Sequence, residues 1–146
     1  MLKRIIAVLL LAACCLAVLP SCGNGLMKIE GRMWKLSRVM YMHDGHYSVI
    51  AVGEADSAYP LAKVVDLRLV AKNGQLTIAD TTNDQSYQGT YTATGEHKNG
   101  TTYNVTLDGW DGFASAIPGQ NEDGSEQPTL SLSLGDYSLY FYEVEG

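Results

Sequence analysis

The sequence predicts an all-β domain: an antiparallel barrel of eight strands, drawn from eight or nine short segments, with a two-sheet β-sandwich as the alternative. Three observations carry this. Val, Ile, Thr and Tyr recur in runs with period-2 alternation, the repeat of a strand with one buried face. Turn dipeptides such as Asp44-Gly45, Asn73-Gly74 and Gly135-Asp136 punctuate the runs. No useful length of the mature chain carries the 3.6-residue period of a helix. Sequential hairpins dispose of their open edges best by closing on themselves.

The first strand is predicted over 32–42, with Trp34, Leu36, Met40 and Met42 on one face and Arg38 as the exception on it. Asp44-Gly45 supplies the two positive-φ residues of a type I′ hairpin, and the chain returns over 47–52. Residues 54–60 form a polar loop with room for one helical turn. The run 63–72 alternates through Val65, Leu67, Leu69 and Ala71. Asn73-Gly74, the strongest hairpin signal in the chain, leads into 75–80, where Leu76 and Ile78 face inward. Residues 86–94 align Tyr87, Gly89 and Tyr91, and a flexible loop at 95–100 precedes 101–107, with Tyr103, Val105 and Leu107 on one face. The stretch 108–128 holds four glycines, two prolines and five acids and reads as the longest irregular region, with room for a short strand near 113–117. Clean alternation returns over 129–134, and Gly135-Asp136 turns the chain into a last strand over 137–144.

The N-terminus has a different character. Lys3 and Arg4 precede an uncharged run over 5–19, shorter than the ~20 apolar residues of a spanning helix but laid out as a signal peptide. It closes on Leu19-Pro20-Ser21-Cys22. This resembles the lipobox of bacterial lipoproteins, with Leu19 as the branched apolar residue, Ser21 as the small one and Cys22 as the acylated position. Leu11-Ala12-Ala13-Cys14 fits the pattern too. Cleavage there would leave an apolar stub and an unusually short signal, so Cys22 is preferred. The expected organisation is a signal over 1–21, a lipidated Cys22 with a short linker to residue 30, and a domain over 31–146. One acyl chain holds a protein to a membrane marginally, and two or more hold it stably.

All three cysteines, Cys14, Cys15 and Cys22, lie in this segment. The remaining domain has none for a disulfide, a thiolate nucleophile or a cysteine metal site. Without residues 1–21 the chain keeps 125 residues, with eight basic side chains against sixteen acidic ones, a net charge of −8. Such a surface repels phosphate backbones, which argues against nucleic acid as a partner.

The layout of anchor, linker and hairpins resembles the small bacterial lipoproteins that carry a lipocalin-like domain. The resemblance covers about residues 30–145. It rests on Gly31 with Trp34-Lys35-Leu36 in the first strand, on Gly89-Thr90-Tyr91, and on the closing Leu139-Tyr140-Phe141-Tyr142-Glu143. It implies a barrel with Trp34 plugging its base and the binding of a small apolar molecule.

Other constellations are weaker. His43 and His46 flank a turn, and with Asp44 they supply at most a partial metal site, where a structural site wants four ligands. Asn121-Glu122-Asp123-Gly124 resembles a fragment of an EF-hand loop, but Gly119 and Leu130 occupy positions that require acids. Of the charged side chains, Arg38 and Glu143 come nearest to an inward register. No nucleophile elbow, phosphate loop or dinucleotide fingerprint occurs. Tyrosine is abundant, and its apolar ring with a polar tip suits a pocket wall as well as a core.

The sequence thus leads to these expectations: a non-enzymatic envelope protein, anchored through Cys22 to a membrane, the outer one by the absence of Asp after that cysteine, with no metal and no cofactor. The barrel binds a small apolar ligand or acts as a scaffold, and Trp34, Tyr87, Tyr91, Tyr103 and Phe141 are its candidate ligand-binding side chains. The alternative is a protein-interaction module, an inhibitor or accessory subunit of an envelope complex. A ligand carrier requires an apolar cavity with an open mouth, and an interaction module a filled interior with an apolar patch outside.

Overall fold

The computed structural model describes residues 26–97 and 99–146. The signal segment and Cys22 lie outside the described residues. Ten strands follow in order: β1 (Met33–His43), β2 (His46–Val52), β3 (Lys63–Val64), β4 (Leu67–Lys72), β5 (Gln75–Asp80), β6 (Gln85–His97), β7 (Gly100–Leu107), β8 (Trp110–Ile117), β9 (Thr129–Leu134) and β10 (Tyr137–Val144). Each of β4 to β10 pairs with the next, β4 pairs with β1, and β10 pairs back with β1. The result is a closed antiparallel barrel of eight strands, with β2 and β3 outside the ring. Closure leaves the ring without free edges.

The turns follow the backbone chemistry of their residues. Asp44-Gly45, Asn73-Gly74 and Asp108-Gly109 all have positive φ at both positions, the geometry of type I′. The last of these corrects the expectation of an irregular stretch from 108. Asp108-Gly109 is a hairpin turn, and Trp110–Ile117 is a full strand paired with both β7 and β9. The irregular region shrinks to the β8–β9 loop. Strand β6 runs on to His97, so the loop expected over 95–100 is also shorter. No helical turn forms over 54–60.

A bulge in β1 accounts for the largest difference from expectation. Leu36 pairs with Phe141 and Arg38 with Tyr140, so Ser37 stands without a partner. An extra residue reverses which face the following side chains occupy. Trp34 and Leu36 point inward before it, and Val39 joins the core after it. Met40 and Met42 therefore leave the inner face, with Met42 37% exposed. Arg38 is no exception in the interior either: it stands outside, its guanidinium 5.0 Å from the centre of the Tyr140 ring. A second bulge, at Ile50, interrupts the pairing of β2 with the far half of β1.

β1 also changes partner along its length. Met33–Lys35 pair with β4, and Arg38–His43 pair with β2. One half of the barrel is thus walled by β4 and the other by β2, which carries β3 in parallel on its outer side.

The β4 half is filled. Trp34, Leu36, Leu69, Leu76, Leu130 and Phe141 are all within 1% of complete burial. The segment before β1, expected as part of the tether, closes this base: Met27 bridges to Gly100, and Ile29 is fully buried. Trp34 Nε1 donates to the Ile29 carbonyl at 3.0 Å, and the Ile29 amide donates to the Tyr103 hydroxyl at 3.1 Å. Tyr103 meets Tyr91 edge to face, centroids 5.6 Å apart, and the Tyr91 hydroxyl donates to the Glu30 carboxylate. Every polar group carried into the base by these rings thus has a partner, which removes the usual cost of burying it. Truncation of Trp34 to alanine should cost about 3–5 kcal/mol, read as a lower urea midpoint with unchanged β-sheet circular dichroism at low urea. A loss below about 1 kcal/mol would mean that the base is not packed as described.

Candidate functional site

The other half of the barrel is open and apolar. A cavity of about 440 Å³ lies at the end of the barrel bounded by the β1–β2, β5–β6, β7–β8 and β9–β10 turns. That volume falls in the range of small-molecule pockets. All eight ring strands contribute to its wall. β1 and β10 give Val39 and Leu139, and β4 and β5 give Leu67 and Ile78. β7 and β9 add Leu107 and Leu134. Ile50, Ala51 and Val65 line the side where β2 replaces β4 as the neighbour of β1. These residues are the inward positions of each strand as it nears the mouth. They continue the faces that fill the base, but nothing stands opposite them.

Three aromatic side chains guard the rim. Tyr87 lines the wall and donates its hydroxyl to Gln85 at 2.7 Å. Tyr137 packs against Tyr41 with centroids 5.0 Å apart and the rings tilted by 37°. Trp110 is 59% exposed although it occupies an inward position of β8. Its ring lies close over the β9–β10 turn, where a Cβ on Gly135 would come within 3.2 Å of it. Gly135 also has φ +55°, so both space and backbone favour glycine there.

Two acids reach the cavity. Asp80 is 6% exposed, and both its oxygens accept hydrogen bonds from the turn it caps. It accepts from the amides of Thr82 and Asn83 at 3.1 and 3.0 Å and from Asn83 Nδ2 at 2.7 Å. Its charge is thus spent on holding the β5–β6 turn. Asp108 sits exposed at the rim. Nearby, the Thr81 hydroxyl donates to Asp66 at 2.8 Å and holds that carboxyl below its ordinary range, against the opposing effect of burial.

Of the five side chains singled out from the sequence, Tyr87 stands on the cavity wall. Trp34, Tyr91, Tyr103 and Phe141 lie in the filled base and do not line the cavity. Sequence reasoning missed Val39, because the bulge at Ser37 was not foreseen, and Trp110, because its strand was not. The Asp-Gly pair directly before Trp110 was the available signal for the latter.

His43 and His46 face each other across the β1–β2 hairpin, as their flanking of the turn suggests. His43 stacks on Tyr41 with centroids 6.1 Å apart and lies 3.2 Å from Asp44, with the side chains of His43 and Asp44 both exposed. Among the described residues, no three His, Cys, Asp or Glu side chains gather closely enough to hold a metal ion. Glu143 pairs with Arg32 at 2.6 Å. No helix among the described residues is long and apolar enough to cross a membrane. No protein-family profile, curated protein or solved structure matches the chain. The cavity and its rim are therefore the ground for a functional reading.

Burial, followed by the bond to Glu30, pushes the Tyr91 hydroxyl up to about 12. In the unfolded chain it titrates near ~10. A neutral Tyr91 thus contributes stability that is fully present below pH ~10 and is lost as pH rises toward ~12. The protein should be more stable than its Tyr91→Phe variant at pH 8, with the gap in urea midpoint narrowing between pH 10 and 12. A constant gap across that window would remove Tyr91 as the titrating group.

Proposed function

We propose that this protein is a lipid-anchored carrier of the bacterial envelope, which holds a small apolar molecule in the mouth of its barrel without transforming it. The observation that carries the reading is the half-filled interior: the base is packed tight, while about 440 Å³ at the other end is walled by aliphatic side chains and open to solvent. An interaction module would have no need of that space. Burial of apolar surface drives the binding at ~25 cal/mol per Å² before the costs of association. Tyr137 and Trp110 at the rim offer a hydroxyl and an indole donor to a polar end of the ligand, and Tyr87, whose proton goes to Gln85, offers an acceptor oxygen.

The signal-like N-terminus, ending in Cys22, supports anchoring by acyl chains. The packed domain begins at Met27, so residues 22–26 would span at most roughly 17 Å. Met27 lies at the base, bridged to Gly100. An anchored protein would rest its closed end near the lipid and turn its mouth away from the membrane. That orientation suits exchange of a ligand with a partner or with the space beyond.

Two measurements test this. N-Phenyl-1-naphthylamine, a neutral apolar dye, should bind with a rise in fluorescence, and Ala51→Phe, which fills the cavity from β2, should weaken it at least tenfold. Phe113→Ser, on the outer wall, should leave binding unchanged. Absence of dye binding, or binding indifferent to Ala51→Phe, would refute the carrier reading. Separately, Cys22→Ser should move the protein from the membrane to the soluble fraction, whereas Cys14→Ser should not. Retention of the Cys22→Ser variant on membranes would refute the anchor.

A further inference from the structure

The outer wall of the barrel carries a second feature, independent of the cavity. Of the three arginines among the described residues, Arg32 and Arg68 pair with carboxylates, at 2.6 and 3.4 Å. Arg38 has no carboxylate within 4 Å among the described residues. Its Nε is sealed from solvent and has no hydrogen-bond partner. A guanidinium in an acidic protein has many carboxylates to choose from, and this one is held away from them, 5.0 Å over the centre of the Tyr140 ring. A cation–π contact of this kind restrains the guanidinium without occupying its N–H donors, which remain available for a planar anion.

The surroundings form a platform. Strand register puts Arg38, Tyr140, Ser131 and Ser115 in one row across β1, β10, β9 and β8. The next row is Lys35, Tyr142, Thr129 and Ile117. An open recess of about 640 Å³ runs over these rows, with Asn121 and Gln127 of the β8–β9 loop along one side. A smaller recess of about 390 Å³ adjoins it at Ser37, Arg38, Glu54 and Tyr142. Glu54 also faces this region, but Lys35 Nζ holds it at 2.6 Å. Lys35 and Glu54 offset each other, and Asp56 also lines the smaller recess, so Arg38 stands apart by its lack of a carboxylate within 4 Å rather than by an excess of charge.

These groups suit one kind of ligand. The fork of Arg38 fits a carboxylate bidentately. A run of hydroxyls and amides offers donors and acceptors to a hydroxylated ring, and a tyrosine ring offers an apolar face. We propose that this outer groove binds the carboxylate of an acidic sugar, with Arg38 holding the carboxylate and the Tyr140–Ser131–Ser115 row receiving the ring. The bulge at Ser37 is what turns Arg38 onto this face, in line with the tendency of bulges to re-aim side chains at functional sites.

Titration of the protein with glucuronate, glucose and acetate, followed by amide chemical shifts, tests the assignment. Glucuronate should perturb residues of β1, β9 and β10 on the outer face and bind at least tenfold more tightly than glucose or acetate. Arg38→Gln should weaken glucuronate at least tenfold. Ser131→Phe, which occupies the groove without changing charge, should do the same. Ala51→Phe, in the barrel mouth, should have no effect, which separates this site from the cavity. Circular dichroism of each variant should match that of the parent. Failure of glucuronate to bind at millimolar concentration, equal binding of glucose or acetate, or binding unaffected by Arg38→Gln would each overturn the proposal.

Discussion

One unpaired residue in β1 organises the molecule. Ser37 has no partner on β10, and the strand changes face there. The half before the bulge sends Trp34 and Leu36 into the base, and the half after it sends Val39 to the wall of the mouth. The same step turns Arg38 outward over Tyr140. β1 is also the strand that closes the ring, paired with β10 on one side and with β4 and then β2 on the other. A regular β1 would direct Arg38 into the interior, where a lone charge is costly, and would bring Met40 and Met42 in with it. The bulge resolves that conflict.

The interior is divided by what stands opposite each inward position. In the base, large side chains interlock, and the segment over 27–30 closes the end. Tyr91 and Tyr103 bring hydroxyls into this region, and Glu30 and the Ile29 amide satisfy them. At the mouth the inward residues are medium-sized aliphatics, and β2 stands where β4 would otherwise continue beside β1. The cavity is therefore a product of partner exchange along β1 rather than of unusually small side chains. Asp80 reaches this apolar region with its burial offset by three hydrogen bonds from the turn it caps.

Much of this was legible in the sequence. Period-2 alternation located β5, β7 and β9, it ran β3 and β4 together as one strand over 63–72, and the turn pairs Asp44-Gly45, Asn73-Gly74 and Gly135-Asp136 located their hairpins. The ring closure followed from sequential hairpins and the need to protect edges. The failures have physical causes. Asp108-Gly109 carries the same turn chemistry, but the glycines and acids around it outweighed the weak alternation of Trp110, Gly112, Ala114 and Ala116, in which small residues carry little signal. The bulge was marked only by Arg38 at an inward position of a regular strand. A charge in such a place is itself a sign of a register shift. Tyrosine as a residue type did not distinguish Tyr87 on the cavity wall from Tyr91 and Tyr103 in the base. That depends on how far along the barrel each strand carries its ring, which periodicity does not encode.

The register of β1 against β10 is the most direct test of the account. Cross-strand nuclear Overhauser contacts in the isotope-labelled protein read it residue by residue. The account expects backbone contacts that pair Leu36 with Phe141 and Arg38 with Tyr140, with Ser37 left out of the ladder. Contacts that instead run on unbroken from Leu36, pairing Ser37 with Tyr140 and Arg38 with Leu139, or an absence of contacts between the two strands, would contradict it.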